Sequence, residues 1–183
     1  MLQELLIPFI TIGLAELLDK SQLSLLLLAT RTKRTITLLA GAMLGFFVVD
    51  GLAVLLGAWI TTVIPQDILR FIAAGLFIIF GLLALRTASE KPDTKPDTRN
   101  PFFAGFLTIL FVEWGDKTQL ATAAFATQFN PFLVLLAIMA ALFLISLAAV
   151  LVGQALAARL NKKKINLLSG VAFIVIGIFF LFS

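Results

Sequence analysis

Glu16-Leu17-Leu18-Asp19-Lys20-Ser21-Gln22-Leu23 and Glu113-Trp114-Gly115-Asp116-Lys117-Thr118-Gln119-Leu120 are two copies of one acidic motif, and each lies inside a long apolar segment. An ionisable side chain at the centre of a membrane span costs about 2.5–3.5 kcal/mol on insertion scales, so such residues are rare unless they line an ion or substrate path. Two matching clusters in one chain point to one shared site.

The rest of the chain has the composition of a membrane protein. Of its 183 residues, 61% are hydrophobic and 13% charged, with a mean hydropathy of +1.09, whereas soluble domains carry about 25% charged residues. Apolar runs long enough to cross a hydrocarbon core, about 20 residues each, fall at 5–30, 35–62, 67–86, 102–127, 131–157 and 164–182. The expected fold is therefore an all-α integral membrane protein with six transmembrane helices. The first residues, Met1-Leu2-Gln3-Glu4, lack the basic start of a secretory signal, and the first apolar run contains the motif, so this run reads as a retained span.

Loops assigned to alternate sides of the membrane place Arg31, Lys33, Arg34, Arg86, Lys91, Lys95, Arg99, Arg159, Lys162, Lys163 and Lys164 on one face and only Arg70 on the other. The positive-inside rule makes the first face cytoplasmic and puts both termini outside. The formal charge of +4 is thus a signal of topology, with attraction to anionic lipid secondary; nucleic acid is not an expected partner.

Glu16, Asp19, Lys20, Gln22 and Leu23 recur 97 positions later, as does Ala29-Thr30 at Ala126-Thr127, while Ser21 becomes Thr118. Further on the offset is 96, pairing Met43 with Met139, Gly57 with Gly153 and Gly81 with Gly177. Residues 1–86 and 101–183 read as two three-helix repeats. An odd number of spans per repeat makes them inverted, an arrangement common in secondary transporters with a midplane site between the halves. Residues 87–100 contain Lys-Pro-Asp-Thr twice and read as a polar cytoplasmic linker, either a passive connector or a tether letting the halves rock.

At 100° per residue, Glu16, Asp19 and Lys20 share one arc of a regular helix, as do Glu113, Asp116 and Lys117. The six groups sum to −2 when ionised, a charge that one divalent cation or two protons would neutralise. Crowded, poorly hydrated carboxylates favour protonation, and metal binding requires their deprotonated form, so metal and protons would compete. Lys20 and Lys117 follow their glutamates in the favourable i,i+4 order, where they either hold the acids in place or replace a leaving ion. Ser21, Gln22, Thr118 and Gln119 point away from the arc unless the helix unwinds, which Gly115 eases in the second copy. The chain has no Cys, His or Tyr. Oxygen donors alone suit calcium, manganese or magnesium better than copper or zinc. The bland alternative is that the clusters are internal salt bridges, which are weak stabilisers once desolvation is counted.

The twice-repeated Glu-x-x-Asp-Lys-Ser/Thr resembles the signature of the Gdt family of calcium/manganese–proton exchangers, also known as uncharacterised protein family sixteen. The second copy, Glu113 to Thr118, matches throughout; the first has Leu18 where the signature has glycine. The resemblance covers the whole chain as two inverted three-helix repeats. It implies that Glu16, Asp19, Glu113 and Asp116 are the cation ligands. From the residues themselves, Lys20, Ser21, Gln22, Asp50, Lys117, Thr118 and Gln119 are candidates for a supporting role. The expected location is the bacterial inner membrane. No cofactor and no catalytic residue is expected, the metal being cargo.

Asp50, deep in the second span with Ser146 as its approximate repeat partner, reads either as a proton relay or as a group engaged in a hydrogen bond or paired with Lys20 or Lys117. Met43 and Met139 read as apolar filling, Gly41 and Gly45 as a close helix contact, and Trp59 as an interfacial anchor. Trp114, inside the motif, reads as shaping or gating the cavity. The function expected is export of manganese or calcium from the cytoplasm against protons. A divalent-cation channel is the nearest alternative; a remote one is an intramembrane aspartyl hydrolase using Asp19 and Asp116.

Single cysteines placed in the 31–34 and 159–164 loops should react with an impermeant thiol reagent only from the cytoplasmic face, and cysteines at Gln66 and Asn130 only from outside. Labelling of both pairs from one side would contradict the inverted topology.

Overall fold

A computed structural model of the chain describes residues 1–17, 19–86, 100–159 and 162–182. Among these the regular structure is entirely helical: α1 (Leu2–Glu16), α2 (Lys20–Ala29), α3 (Thr35–Val63), α4 (Gln66–Arg86), α5 (Pro101–Glu113), α6 (Lys117–Gln128), α7 (Pro131–Arg159) and α8 (Lys162–Phe182). The series repeats as short, short, long, intermediate. Three helices hold spans long and apolar enough to cross a membrane: α3, α4 and, over Pro131–Leu151, α7; α5 and the Leu167–Phe182 part of α8 are shorter apolar helices. The linker lies outside the described residues except for Asn100, whose side chain accepts from Phe102 N at 3.2 Å and caps α5. Leu18 and part of the basic 159–164 loop also lie outside them.

The first and fourth apolar runs are not continuous helices. Each divides at the motif, with α1 and α5 ending at the glutamate and α2 and α6 beginning at the lysine. In the second copy, Trp114 (φ −65°, ψ 114°) and Gly115 (φ 79°) form the central pair of a type II turn, closed by Asp116 N donating to Glu113 O at 3.1 Å. That turn needs a positive φ at its third residue, which glycine adopts without steric cost. The first copy has the same opening, Leu17 at φ −64°, ψ 114°, and the same closing bond, Asp19 N to Glu16 O at 3.1 Å. The aspartate then serves as N-cap of the next helix in both copies, at φ −73° for Asp19 and −74° for Asp116.

The broken helices pack against the long ones. The main helix pairs are α4 with α8, α3 with α5, α1 with α7, and α3 with α6. Small residues let backbones meet, as the Gly41–Gly45 spacing implies: a Cβ on Gly41 would lie 1.9 Å from Phe102 O, and one on Gly105 of α5 would lie 2.3 Å from Leu38 O. The equivalent contact of the other half is looser. There Ala137 and Ala141 stand at the positions of Gly41 and Gly45, and a Cβ on Gly13 would meet Ala141 at 3.7 Å. Behind the site, Phe77, Phe125, Phe173 and Phe180 form an aromatic cluster joining α4, α6 and α8, with Phe77 and Phe125 centroids 4.6 Å apart. Met43 and Met139 pack against the core as filling. Large apolar side chains, including Leu55, Trp59, Phe71, Phe111 and Phe132, cover the outside, as a lipid-facing surface requires.

Gly41→Ala should lower the thermal midpoint of the detergent-solubilised protein by an amount equivalent to about 1–3 kcal/mol, because the added methyl must push two backbones apart. Gly75→Ala, where a Cβ meets nothing within 4 Å, should be neutral or stabilising by the helix propensity of alanine. Equal midpoints for the two variants would contradict the close α3–α5 contact.

Candidate functional site

The two breaks face each other, and the acidic groups gather between them. Glu16, Asp19 and Asp116 each offer a carboxylate oxygen within 4.8 Å of the others, so residues of both halves can reach one ion. Glu16 is 1% exposed and Glu113 is 6%; the two aspartates are half-buried. The regular-helix arc expected for each motif is not what gathers these groups. Breaking the helix takes each aspartate out of register with its glutamate and turns it into a cap beside the other half.

Unwinding also brings the hydroxyls inward. Ser21 Oγ donates to Glu16 Oε2 at 3.0 Å, while Thr118 Oγ1 lies 3.3 Å from Glu113 Oε2 and 3.4 Å from Asp116 Oδ2. Thr118 therefore joins Glu113 to the aspartate although Glu113 is not in the convergent trio. Glu16 Oε1 is buried and has no hydrogen-bond partner. A buried acceptor left unpaired is costly, and a bound cation would satisfy it. The C-terminal ends of α1 and α5 and the N-terminal ends of α2 and α6 meet at the breaks, so their helix dipoles oppose one another and the carboxylates set the sign of the site.

The lysines part company. Lys117 forms ion pairs with Asp19 of the other half and with Asp116, the latter at 3.5 Å, in place of the i,i+4 approach to Glu113. Lys20 is exposed, and its backbone N donates to Asp19 Oδ1 at 2.8 Å. Lys117 thus ties one half to the other across the site.

The glutamines brace the breaks. Gln119 Oε1 accepts from Gly115 N at 2.7 Å while its Nε2 donates to Val49 O of α3 at 3.4 Å. Gln22 Oε1 accepts from Ser146 Oγ of α7 at 3.2 Å. Asp50, 5% exposed, accepts from Thr122 Oγ1 at 2.9 Å. Thr122 escaped the sequence reading because its repeat partner is Leu25. The i,i+4 spacing of Thr122 from Thr118, which puts its hydroxyl on the motif's side of the helix, was the available signal. Trp114, in the second break, is 60% exposed and lies at the surface of the site.

Comparison with known proteins gives a family. The profile described as "Divalent cation/proton antiporter GDT1" matches residues 4–92 and 101–183. "GDT1-like protein 5" of Oryza sativa is 29% identical over 205 aligned positions, covering 90% of this chain and 88% of the relative. A Vibrio cholerae protein named "Putative manganese exporter" is 34% identical over 125, covering 68% of this chain and 62% of the relative. "GDT1-like protein sll0615" of Synechocystis is 28% identical over 184, with 88% of each chain covered. No solved structure matches. With both motif copies inside the matched residues and a helix break at each, the chain belongs to the GDT1 family of divalent cation/proton antiporters, which are membrane transporters and not enzymes.

Proposed function

We propose that this protein exports Mn2+ and/or Ca2+ from the cytoplasm in exchange for protons, through one midplane site built by two inverted three-helix repeats. Glu16, Asp19, Glu113 and Asp116 are the ligand carboxylates of this reading. The observation that carries it is the convergence of oxygens from Glu16 and Asp19 of one half with Asp116 of the other. The family supplies cation/proton antiport, and the donor chemistry supplies the preference for hard ions. The six spans are the broken pairs α1–α2 and α5–α6 together with α3, α4, α7 and α8. They lie in a bacterial inner membrane with both termini outside, and no resident cofactor takes part.

In this reading metal and protons share the carboxylates. A cation arriving from the cytoplasm needs them ionised, and protons arriving from the outside release it there. Ser21 and Thr118 donate to the glutamates and orient their remaining oxygens; Gln22 and Gln119 fix the breaks to α7 and α3. Each half-helix can then move with the long helix that braces it, opening the site to one side at a time. Asp50 stays outside the ligand set because its carboxylate is directed to Thr122. Family membership removes the hydrolase, and a channel would carry metal without stoichiometric proton movement.

In vesicles of purified protein, metal flux and internal pH are to be recorded together. Glu16→Gln, Asp19→Asn, Glu113→Gln and Asp116→Asn should each lower transport by about a hundredfold, the upper end of the loss seen when a group supporting a metal ligand is removed, with protein abundance near normal. Full transport with either half neutralised would contradict a shared site.

Apparent metal affinity should fall as pH drops, because protons claim the same oxygens. Exchange of one divalent ion for two protons should also be unresponsive to a potential imposed with potassium and valinomycin. Metal flux without any pH change would eliminate proton exchange and favour the channel.

A further inference from the structure

The geometry points to Lys117 as a tethered cation that competes with the transported ion for the two aspartates. This inference rests on the ligand assignment proposed above. Lys117 Nζ is paired with Asp19 Oδ2 and lies 3.5 Å from Asp116 Oδ2. Those two carboxylates, with Glu16, are the groups whose oxygens converge within 4.8 Å. A divalent ion drawing on both aspartates must therefore displace the ammonium or share its acceptors, and two cations at that range repel.

The position of Lys117 in its helix strengthens the argument. It is the first residue of α6, where the helix dipole disfavours a cation, so the aspartates and not the helix hold the ammonium there. Its side chain is 31% exposed, which leaves a way out, and its four-carbon stem lets a compact charge swing without backbone movement. When the ion binds, the ammonium leaves the aspartates; when the ion departs, it returns and spares them bare mutual repulsion. The pair Asp19–Lys117 also joins the first half to the second, so displacing it releases one tie between them. Ion arrival and the freedom of the halves to move are linked through a single side chain.

The test uses the full-length purified protein carrying Trp59→Phe, so that Trp114 alone reports on the site, titrated with manganese chloride and calcium chloride. An opposite charge at this range changes a carboxylate's affinity for a proton by about one to three powers of ten. On that scale Lys117→Gln should tighten metal binding by about tenfold or more. In vesicles the same variant should retain exchange of metal for metal while net efflux against protons slows, because release becomes limiting. Lys117→Arg, which keeps the charge, should bind metal within about threefold of the parent.

Unchanged or weaker binding in a folded Lys117→Gln protein would overturn the competition, as would a Lys117→Arg protein that behaves like Lys117→Gln. Asp116→Asn separates this from the underlying assignment: if it binds metal as the parent does, the ligand set itself is wrong. A measurement on the unmutated side chain covers the case in which Lys117→Gln does not fold. The 15N resonance of the Lys117 ammonium should shift when calcium saturates the protein, and an unmoved resonance would overturn the proposal.

Discussion

Carboxylates inside an apolar bundle need compensating partners, and a continuous helix has none to spare because its backbone donors and acceptors are already paired. The break at each motif resolves this. It exposes helix ends, which have unpaired backbone groups, and it makes each aspartate the cap of the helix that follows. Asp19 and Asp116 reach nearly the same backbone geometry, with φ of −73° and −74°, although the neighbouring turn residues differ. The glutamates, left at the ends of α1 and α5, receive hydroxyls from Ser21 and Thr118 that an unbroken helix would have pointed elsewhere.

The breaks are joined to the frame of long helices by a few polar contacts. Gln119 reaches Val49 and Thr122 reaches Asp50, both on α3; Gln22 meets Ser146 on α7. These bonds cross between the halves, so α6 is held by α3 and α2 by α7. The halves are similar without being identical. A buried carboxylate anchors α6 where a serine anchors α2, and glycine contacts on α3 become alanine contacts on α7. Such asymmetry allows the two sides of a transport cycle to differ in energy even when their architecture matches.

Much of this was legible in the sequence. The apolar runs carried the helical class, and the doubled motif picked out Glu16, Asp19 and Asp116, whose oxygens converge, because charge in an apolar segment is a strong local signal. Gly41 and Gly45 were readable as a close contact from their i,i+4 spacing. The division of the first and fourth runs was not. Hydropathy is blind to a three-residue interruption, and Leu18 lacks the glycine that marks the second break. Partners across the halves were also out of reach: periodicity along one helix placed Lys117 beside Glu113, whereas its ion pair with Asp19 depends on how two breaks face each other. Thr122 was missed because it has no polar counterpart in the first half, and repeat matching alone passes over it.

The central claim is that both halves contribute to one cation site. Electron paramagnetic resonance of Mn2+ added to the purified protein counts bound ions directly and tests it with least inference. The account expects one bound ion per chain, lost equally when Asp19→Asn alters the first half and when Asp116→Asn alters the second. Two ions per chain, or one ion that persists in either variant, would contradict it.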